Sequence, residues 1–463
     1  MTQIKKRSKL DLIKKTLSEN LESFVFGGYI MATIKCGFSE CAITPRPYEV
    51  NMSGYGSRIM PCEGIRTDVY AKIAVLSSDK ETLYFVAMDV CHLDDVVLDI
   101  LNEHIAYYCK IDVNKIAYCA SHTHTGPICD QSIAGTNLIY WHRKAEEIAK
   151  AMKEAIDGME DCTLEIKTAD KPLTYIYNRM GREEVDRRVL LAVFKNLNGE
   201  IKGVFANASC HCTCLGDDFI SGDYPAILTE KMQKEMPGVP MIFLQGRGGD
   251  TNPNRPLFGE DRVGIFEALG NEFYDVVKDG LANLNGDVEK KFDLKQLRKT
   301  INVPCVDLLP VEEYEKTLLE EYENMYNEPR PVFKREVLAE VEYNKKCIKL
   351  AKKGEKVVVP ADIQAFKIND ETIFVFLPYE LFCTTGNEIE KKLQDLGYEY
   401  GKIFVIGYAN HVRTYLPPKK YYHDGGYDLG GRLSGSHWNG LPEYAENAEE
   451  IVIDGIINLV KEM

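Results

Sequence analysis

Residues 82–127 read TLYFVAMDVCHLDDVVLDILNEHIAYYCKIDVNKIAYCASHTHTGP. Residues 82–90 are a β-rich apolar run of the buried-strand type. In LDDVVLDILNEHIAYYC, residues 93–109, the apolar side chains recur at helical spacing. NKIAYCAS then returns to strand and ends where polar residues begin. Two apolar strands with a helix between them argue for an α/β fold.

The alternation continues outward. RVLLAVFKN (188–196), GVFANAS (203–209) and VPMIFLQG (239–246) read as strands, as do ADIQAFKI (361–368) and ETIFVFLP (371–378). Residues 139–159 have helical periodicity that stops at Gly158, and residues 266–284 read as a further helix. The expected architecture is a mixed, buried β-sheet or sheets flanked by helices, with the sheet strands buried between helices. Residues 308–355 are charge-dense and helical, and are expected to leave the sheet as a solvated excursion. Residues 1–30, a basic amphipathic helix followed by FVFGGYI, are expected to lie outside the core, as a docking helix or an over-long gene start. The main domain is then 31–463.

The chain carries 56 Lys+Arg and 71 Asp+Glu, a net charge of −15. An acidic surface repels phosphate backbones, which argues against nucleic acid and anionic membranes as partners. No apolar run approaches the roughly 18 residues of a spanning helix, so no stable membrane association is expected. The 14 cysteines are scattered, as in YCASH and SCHCTCLG, and read as reduced thiols. With no apolar segment behind the basic start, a secretory signal is not expected and a cytoplasmic location is. Nothing in the sequence specifies an oligomeric state.

The chemistry gathers at strand ends, where α/β sheets bind ligands. In SHTHTGP, alternation along an extended backbone points His122 and His124 to one side. A metal site and two ordinary hydrogen-bonded histidines both fit that pattern. SCHCTC supplies His211 at another strand end. Cys210 and Cys212 alternate to the opposite face, so His211 is expected as a ligand and the cysteines as buried thiols. Glu380 in LPYEL reads by itself as a carboxylate at a helix N-terminus. GYANHVRTYLPPKKYY offers Asn410, His411, Arg413, Tyr415 and Tyr422, none of them diagnostic alone. GRGGDTNPNRP lacks the Gly-Lys-Ser/Thr of a nucleotide loop, and reads as a tight polar turn around Asp250 and Asn252.

Taken together, SHTHTGP, Asn178-Arg179, CHCT followed by SGDYP, GDTNPN, LPYEL and YANHVRTYLPPKKYY resemble, in order and approximate spacing, the neutral/alkaline non-lysosomal ceramidases. The resemblance covers residues 33–440, the catalytic part of that family. It implies one zinc ion per chain held by His122, His211, Glu380 and Tyr415. It also implies site roles for His124, Asn178 and Arg179. Two departures stand out. The family's Gly-Asp-Val-Ser-Pro-Asn has a catalytic serine where this chain has Asn252. A glycine-rich stretch, HDGGYDLGGRLSGSHWNG, replaces the family's lid-like segment. Its Tyr427, Asp428 and Trp438 are expected to bind substrate, and suit a small polar molecule better than a paired lipid chain.

The resemblance therefore leads to a zinc-dependent hydrolase with an amide bond of an N-acyl compound as its target. Zinc-bound hydroxide would attack the carbonyl. His124 would carry the proton to the leaving group, Arg179 would hold developing charge or a substrate acid group, and Asn252 and Asp250 would complete the catalytic set. Two other readings remain: a zinc hydrolase of an ester, lactone or glycosidic bond, and a catalytically silent zinc-binding sensor.

Overall fold

The structure is a computed structural model that describes residues 23–26, 29–56, 58, 60–129, 136–254, 260–354, 356–430, 437 and 440–463. Its larger sheet has eight strands: β1 (Ile34–Ala42), β2 (Tyr70–Ser77), β3 (Thr82–Met88), β4 (Ile116–Ala120), β5 (Glu160–Thr168), β6 (Leu190–Asn196), β7 (Ile201–Ala208) and β8 (Met241–Gln245). They lie in the order β8-β7-β6-β5-β1-β2-β3-β4. The two outermost pairs, β3/β4 and β7/β8, are parallel, and the inner pairs are antiparallel. A second sheet holds β9 (Lys295–Pro304), β10 (Val358–Lys367), β11 (Ile373–Phe376) and β12 (Ile403–Ile406), and its β11/β12 pair is parallel.

The two sheets pack face to face. On β3, Leu83, Phe85 and Ala87 turn towards the second sheet, while Tyr84, Val86 and Met88 turn towards helices. This is the period-two alternation of a strand buried on both faces. Phe85 lies at the seam, with ring centroids 5.0 Å from Phe366, 5.6 Å from Phe374 and 5.9 Å from Phe376. The structure has the mixed, helix-flanked sheets that the sequence predicts. Each sheet has helices on its outer face only, and its inner face is covered by the other sheet. An all-apolar strand does not encode which of these covers it.

Helices α1 (Asp95–Cys109) and α2 (Leu138–Asp157) cover one half of the large sheet; α3 (Tyr224–Glu235) and α4 (Arg262–Ala282) cover the other. The side chain of Asp94 accepts from the Val96 and Val97 amides and starts α1. Lys110 in the left-handed region ends it. Residues 308–355 form α5 (Val311–Asn327) and α6 (Pro331–Ala351), joined through Tyr314, Tyr343 and Cys347. Helices α7 (Cys383–Asp395) and α8 (Ala448–Lys461) back the small sheet. Before β1, Ser23–Phe26 pairs antiparallel with Tyr29–Ala32. Among the described residues no helix is long and apolar enough to cross a membrane.

The three parallel pairs decide where the polar motifs gather. The chain leaves β4, β7, β8, β11 and β12 at their carboxyl ends, and these exits meet at one rim. Ala120 donates its amide to Tyr408, and Gly249 donates to Leu381, so the exits of the two sheets are tied together.

Candidate metal centre

Beyond β4 the chain does not stay extended. His122 has φ +62°, unusual for a residue with a Cβ. Its amide donates to Val90 and that of His124 donates to the Cys212 carbonyl. These bonds offset a backbone cost of order 1–3 kcal/mol. The two rings do face one point, with Nε2 atoms 3.2 Å apart. Simple alternation is nevertheless not what brings them there.

His122 donates Nδ1–H to the Cys91 carbonyl at 2.7 Å, and His211 donates its own to the Gly248 carbonyl at 2.6 Å. A carbonyl can only accept, so both rings carry their proton on Nδ1 and turn a lone pair on Nε2 inward. Those two Nε2 atoms lie 3.2 Å and 3.1 Å from Glu380 Oε2. The Tyr415 hydroxyl is 3.3 Å from His211 Nε2. Glu380 and Tyr415 are register partners in a short parallel pair, Glu380–Leu381 with Tyr415–Leu416. Glu380 thus precedes α7 and does not serve as its N-terminal carboxylate. Cys210 and Cys212 are buried in the core behind His211, as alternation predicts.

Four donors from distant parts of the chain therefore surround one position. Ligands about 2.0–2.2 Å from a tetrahedral ion stand roughly 3.3–3.6 Å apart, close to the spacings found. The charges also fit a cation. Burial would raise the Glu380 carboxyl, but His122 and His211 hold it well below its usual range. Burial opposes a charge on His122, yet Cys91 and Glu380 push it up to about 10, so an ion taking its Nε2 lone pair would displace a proton there. Burial and Arg179 push His211 down to about 3, the neutral imidazole that metal ligation requires. Burial keeps Tyr415 a phenol, with Arg179 pulling the other way. A second group of donors, Cys91, His122 and His124, lies beside the first and shares His122. Since His122 Nδ1 is taken up by the Cys91 carbonyl, the His122–His211–Glu380–Tyr415 set is better arranged to hold an ion.

Arg179 stands over the Tyr415 ring, its guanidinium carbon 5.3 Å from the centroid. One guanidinium edge engages Asp428 with both its donors, Nε at 3.0 Å from Oδ2 and Nη2 on Oδ1. Burial, against the pull of Arg179, pushes the Asp428 carboxyl up to about 6. Asp428, expected to bind substrate, is 4% exposed and paired with Arg179. Tyr427 is 52% exposed and sits at the rim, its ring 5.8 Å from that of Tyr415. Trp438 lies outside the described residues.

Asp250 is fully buried. It accepts from Asn178 at 2.7 Å and from the Cys383 amide at 2.9 Å, which makes it part of the frame. Asn252 lies in Thr251–Pro253, which pairs with Ile176–Asn178, and the Thr251 carbonyl accepts the His211 amide. Among the described residues, the buried Asn252 Oδ1 has no hydrogen-bond partner. Asn410 and His411 serve the scaffold, accepting from the Tyr118 amide and pairing with Asp95 respectively.

Two features escaped sequence reasoning. Gly54, Tyr55 and Arg58 form the back wall of His124. A Cβ at Gly54 would lie 2.5 Å from that ring, and Tyr55 packs edge-on at 5.0 Å. The glycine-aromatic string SGYGSR carries the signal, but nothing local says what it touches. Tyr408, fully buried, packs its ring 4.2 Å from that of His122.

No family model matches the chain. It is 25% identical over 260 residues to the neutral ceramidase of Drosophila melanogaster, covering 49% of this chain and 37% of that protein. The neutral ceramidase of Pseudomonas aeruginosa is 24% identical over 248 residues, covering 48% and 37%. The match thus spans well under half the length of these curated relatives. The crystal structure of neutral ceramidase from Pseudomonas aeruginosa superposes with a TM-score of 0.70 at 16% identity, over 93% of this chain and 75% of that one. A ceramidase complexed with C2 gives a TM-score of 0.70 at 16% identity, over 93% and 76%. At that identity the structural likeness shows the fold. With the sequence matches, it relates the chain to the neutral ceramidases, the kinship that the motifs imply.

Proposed function

We propose, from that kinship, that the chain is a zinc-dependent amidohydrolase cleaving the C–N bond of N-acyl compounds. The observation that carries this reading is the meeting of His122, His211, Glu380 and Tyr415 at one position. Zinc bound there would act as a Lewis acid on the scissile carbonyl and make water a competent nucleophile at neutral pH.

The chain's own residues do the rest. Asn252 holds the substrate amide in register, its partnerless Oδ1 accepting the substrate N–H. An amide side chain is not a nucleophile, so no acyl-enzyme forms at this position. His124, with Nε2 3.2 Å from that of His122, would pass a proton to the leaving amine. Arg179 supports the charge at the rim through Tyr415, while Asp250 positions Asn178 and the start of α7. The polar cover formed by Tyr427 and Asp428 favours a small head group over a paired lipid chain.

A panel of matched N-acyl amides, esters and glycosides tests the reading. Amide hydrolysis is expected, lost on chelation and restored by zinc. Turnover confined to esters or glycosides would overturn the bond assignment, and zinc binding without any turnover would favour a sensor.

A further inference from the structure

Arg179 is placed like a receptor for a carboxylate. A guanidinium presents two parallel N–H groups, the fork that matches a carboxylate, and this one lies against the Tyr415 ring at the edge of the metal position. In this chain the fork is already filled, since Asp428 meets it with both oxygens.

Asp428 is not a stray surface charge. It sits in a tight loop between glycines, with Gly425 at φ +69°, Gly426 at +115° and Gly430 at +114°. Residues with a Cβ rarely adopt these angles. Gly426 bridges Gly430, and the Leu429 amide donates to the Gly426 carbonyl. The flanking residues tie the loop to the segment that carries Arg179. Asp424 pairs with Arg182 at 2.8 Å, and Lys420 and Tyr421 both bond Glu184 at 2.9 Å. The backbone thus delivers one carboxylate onto one arginine.

We infer that Asp428 sets the substrate class of this site by cancelling the charge of Arg179, so that the pocket takes uncharged N-acyl amines and turns away acyl compounds bearing a carboxylate. This inference rests on the amidase reading and narrows it. A second carboxylate brought to Arg179 would meet Asp428 already seated on the Nε and Nη2 edge, and a like-charge contact in a buried site is strongly unfavourable. A hydroxyl or an amide meets no such opposition. Asp428 is therefore a specificity-determining residue that acts through Arg179.

The test compares N-acylglycine with the N-acylethanolamine of the same chain length. Dissociation constants are measured by calorimetry on the zinc-loaded full chain, with turnover recorded separately. The wild type should bind the ethanolamide more tightly, by at least about tenfold. Asp428→Asn should move the ratio towards the acylglycine by a similar factor, and added salt should shrink that gain. Asp428→Glu keeps the charge and should keep the wild-type preference. Should Asp428→Asn fail to fold, Asp428→Ser gives the same reading.

A merely structural Asp428 would weaken both ligands alike and leave the ratio unchanged, which would overturn the inference. So would a wild type that prefers the acylglycine, because Asp428 would then be yielding its arginine to the substrate. Binding in the expected ratio without hydrolysis would overturn the amidase reading alone, and failure of both ligands to bind would overturn the two together.

Discussion

The four donors are held at strand ends by backbone hydrogen bonds, whereas the loop above them, residues 419–430, is held by glycines and side-chain ion pairs. His122 and His211 are aimed by the carbonyls of Cys91 and Gly248, and Glu380 is fixed opposite Tyr415 by strand register. Substituting a neighbouring side chain leaves these constraints in place. The cover depends instead on Asp424 with Arg182, Asp428 with Arg179, and Glu184 with Lys420 and Tyr421. Any of these contacts is removed by one substitution. On the proposed reading, the framework carries the chemistry and the cover chooses the substrate.

That division can be broken at its strongest point first. His211→Ala or Glu380→Gln should cost more than about 10³-fold in kcat/KM, beyond the 10–100-fold typical of outer-shell partners, and metal analysis should show the zinc gone. Retained zinc in either variant would mean that the cage lies elsewhere. Asn252→Ala, which leaves the cage intact, should keep its zinc and lose about 10²–10³ in kcat, as when one oriented hydrogen-bonding group is removed. Parental activity in that variant would reduce Asn252 to a turn former.

The outer anchor of the cover gives a pH-dependent form of the comparison. His437 bonds Glu340 of α6 at 2.8 Å and Glu443 at 2.9 Å, with the Tyr343 ring stacked 3.7 Å away. Burial opposes a charge on this ring, yet the two glutamates push it up to about 9. A folded-state pKa above the unfolded value of about 6.5 stabilises fully below pH 6.5, and that contribution fades as pH rises towards 9. Unfolding free energy should therefore fall by on the order of 3 kcal/mol across that window. His437→Gln should flatten the fall, and a wild-type curve already flat there would rule the anchor out. The smallest effect is expected at the other end of the chain. Ser23–Phe26 pairs with Tyr29–Ala32, outside the large sheet, so a chain starting at Met31 should keep its zinc. Loss of metal on that truncation would make the extension part of the fold.

The contrast also explains which features the sequence reveals. The strands Thr82–Met88, Ile116–Ala120 and Met241–Gln245 are mostly apolar, and each lies within the segment its pattern predicts. Strand β9, KQLRKTINVP, is half exposed and polar, so no local pattern marks it. The face-to-face packing of the sheets was hidden for a different reason: Phe85 reads as buried whether a helix or Phe366 covers it. At the site, His122 and His211 stand out because they follow strands, whereas Glu380 and Tyr415 stand out only through the resemblance to the ceramidase motifs. The left-handed turn at His122 was not legible, because no glycine or asparagine announces it. Gly54 behind His124 and Asp428 on Arg179 are contacts between distant segments, and a single sequence does not pair them.

X-ray absorption at the zinc edge, with metal analysis of the same zinc-loaded sample, tests the central claim most directly. One zinc per chain is expected, with nitrogen and oxygen neighbours at about 2.0–2.2 Å and an imidazole signal that His211→Ala removes. A sulfur neighbour at about 2.3 Å would place the ion with Cys91, His122 and His124 instead. That result, or the absence of zinc, would contradict the account.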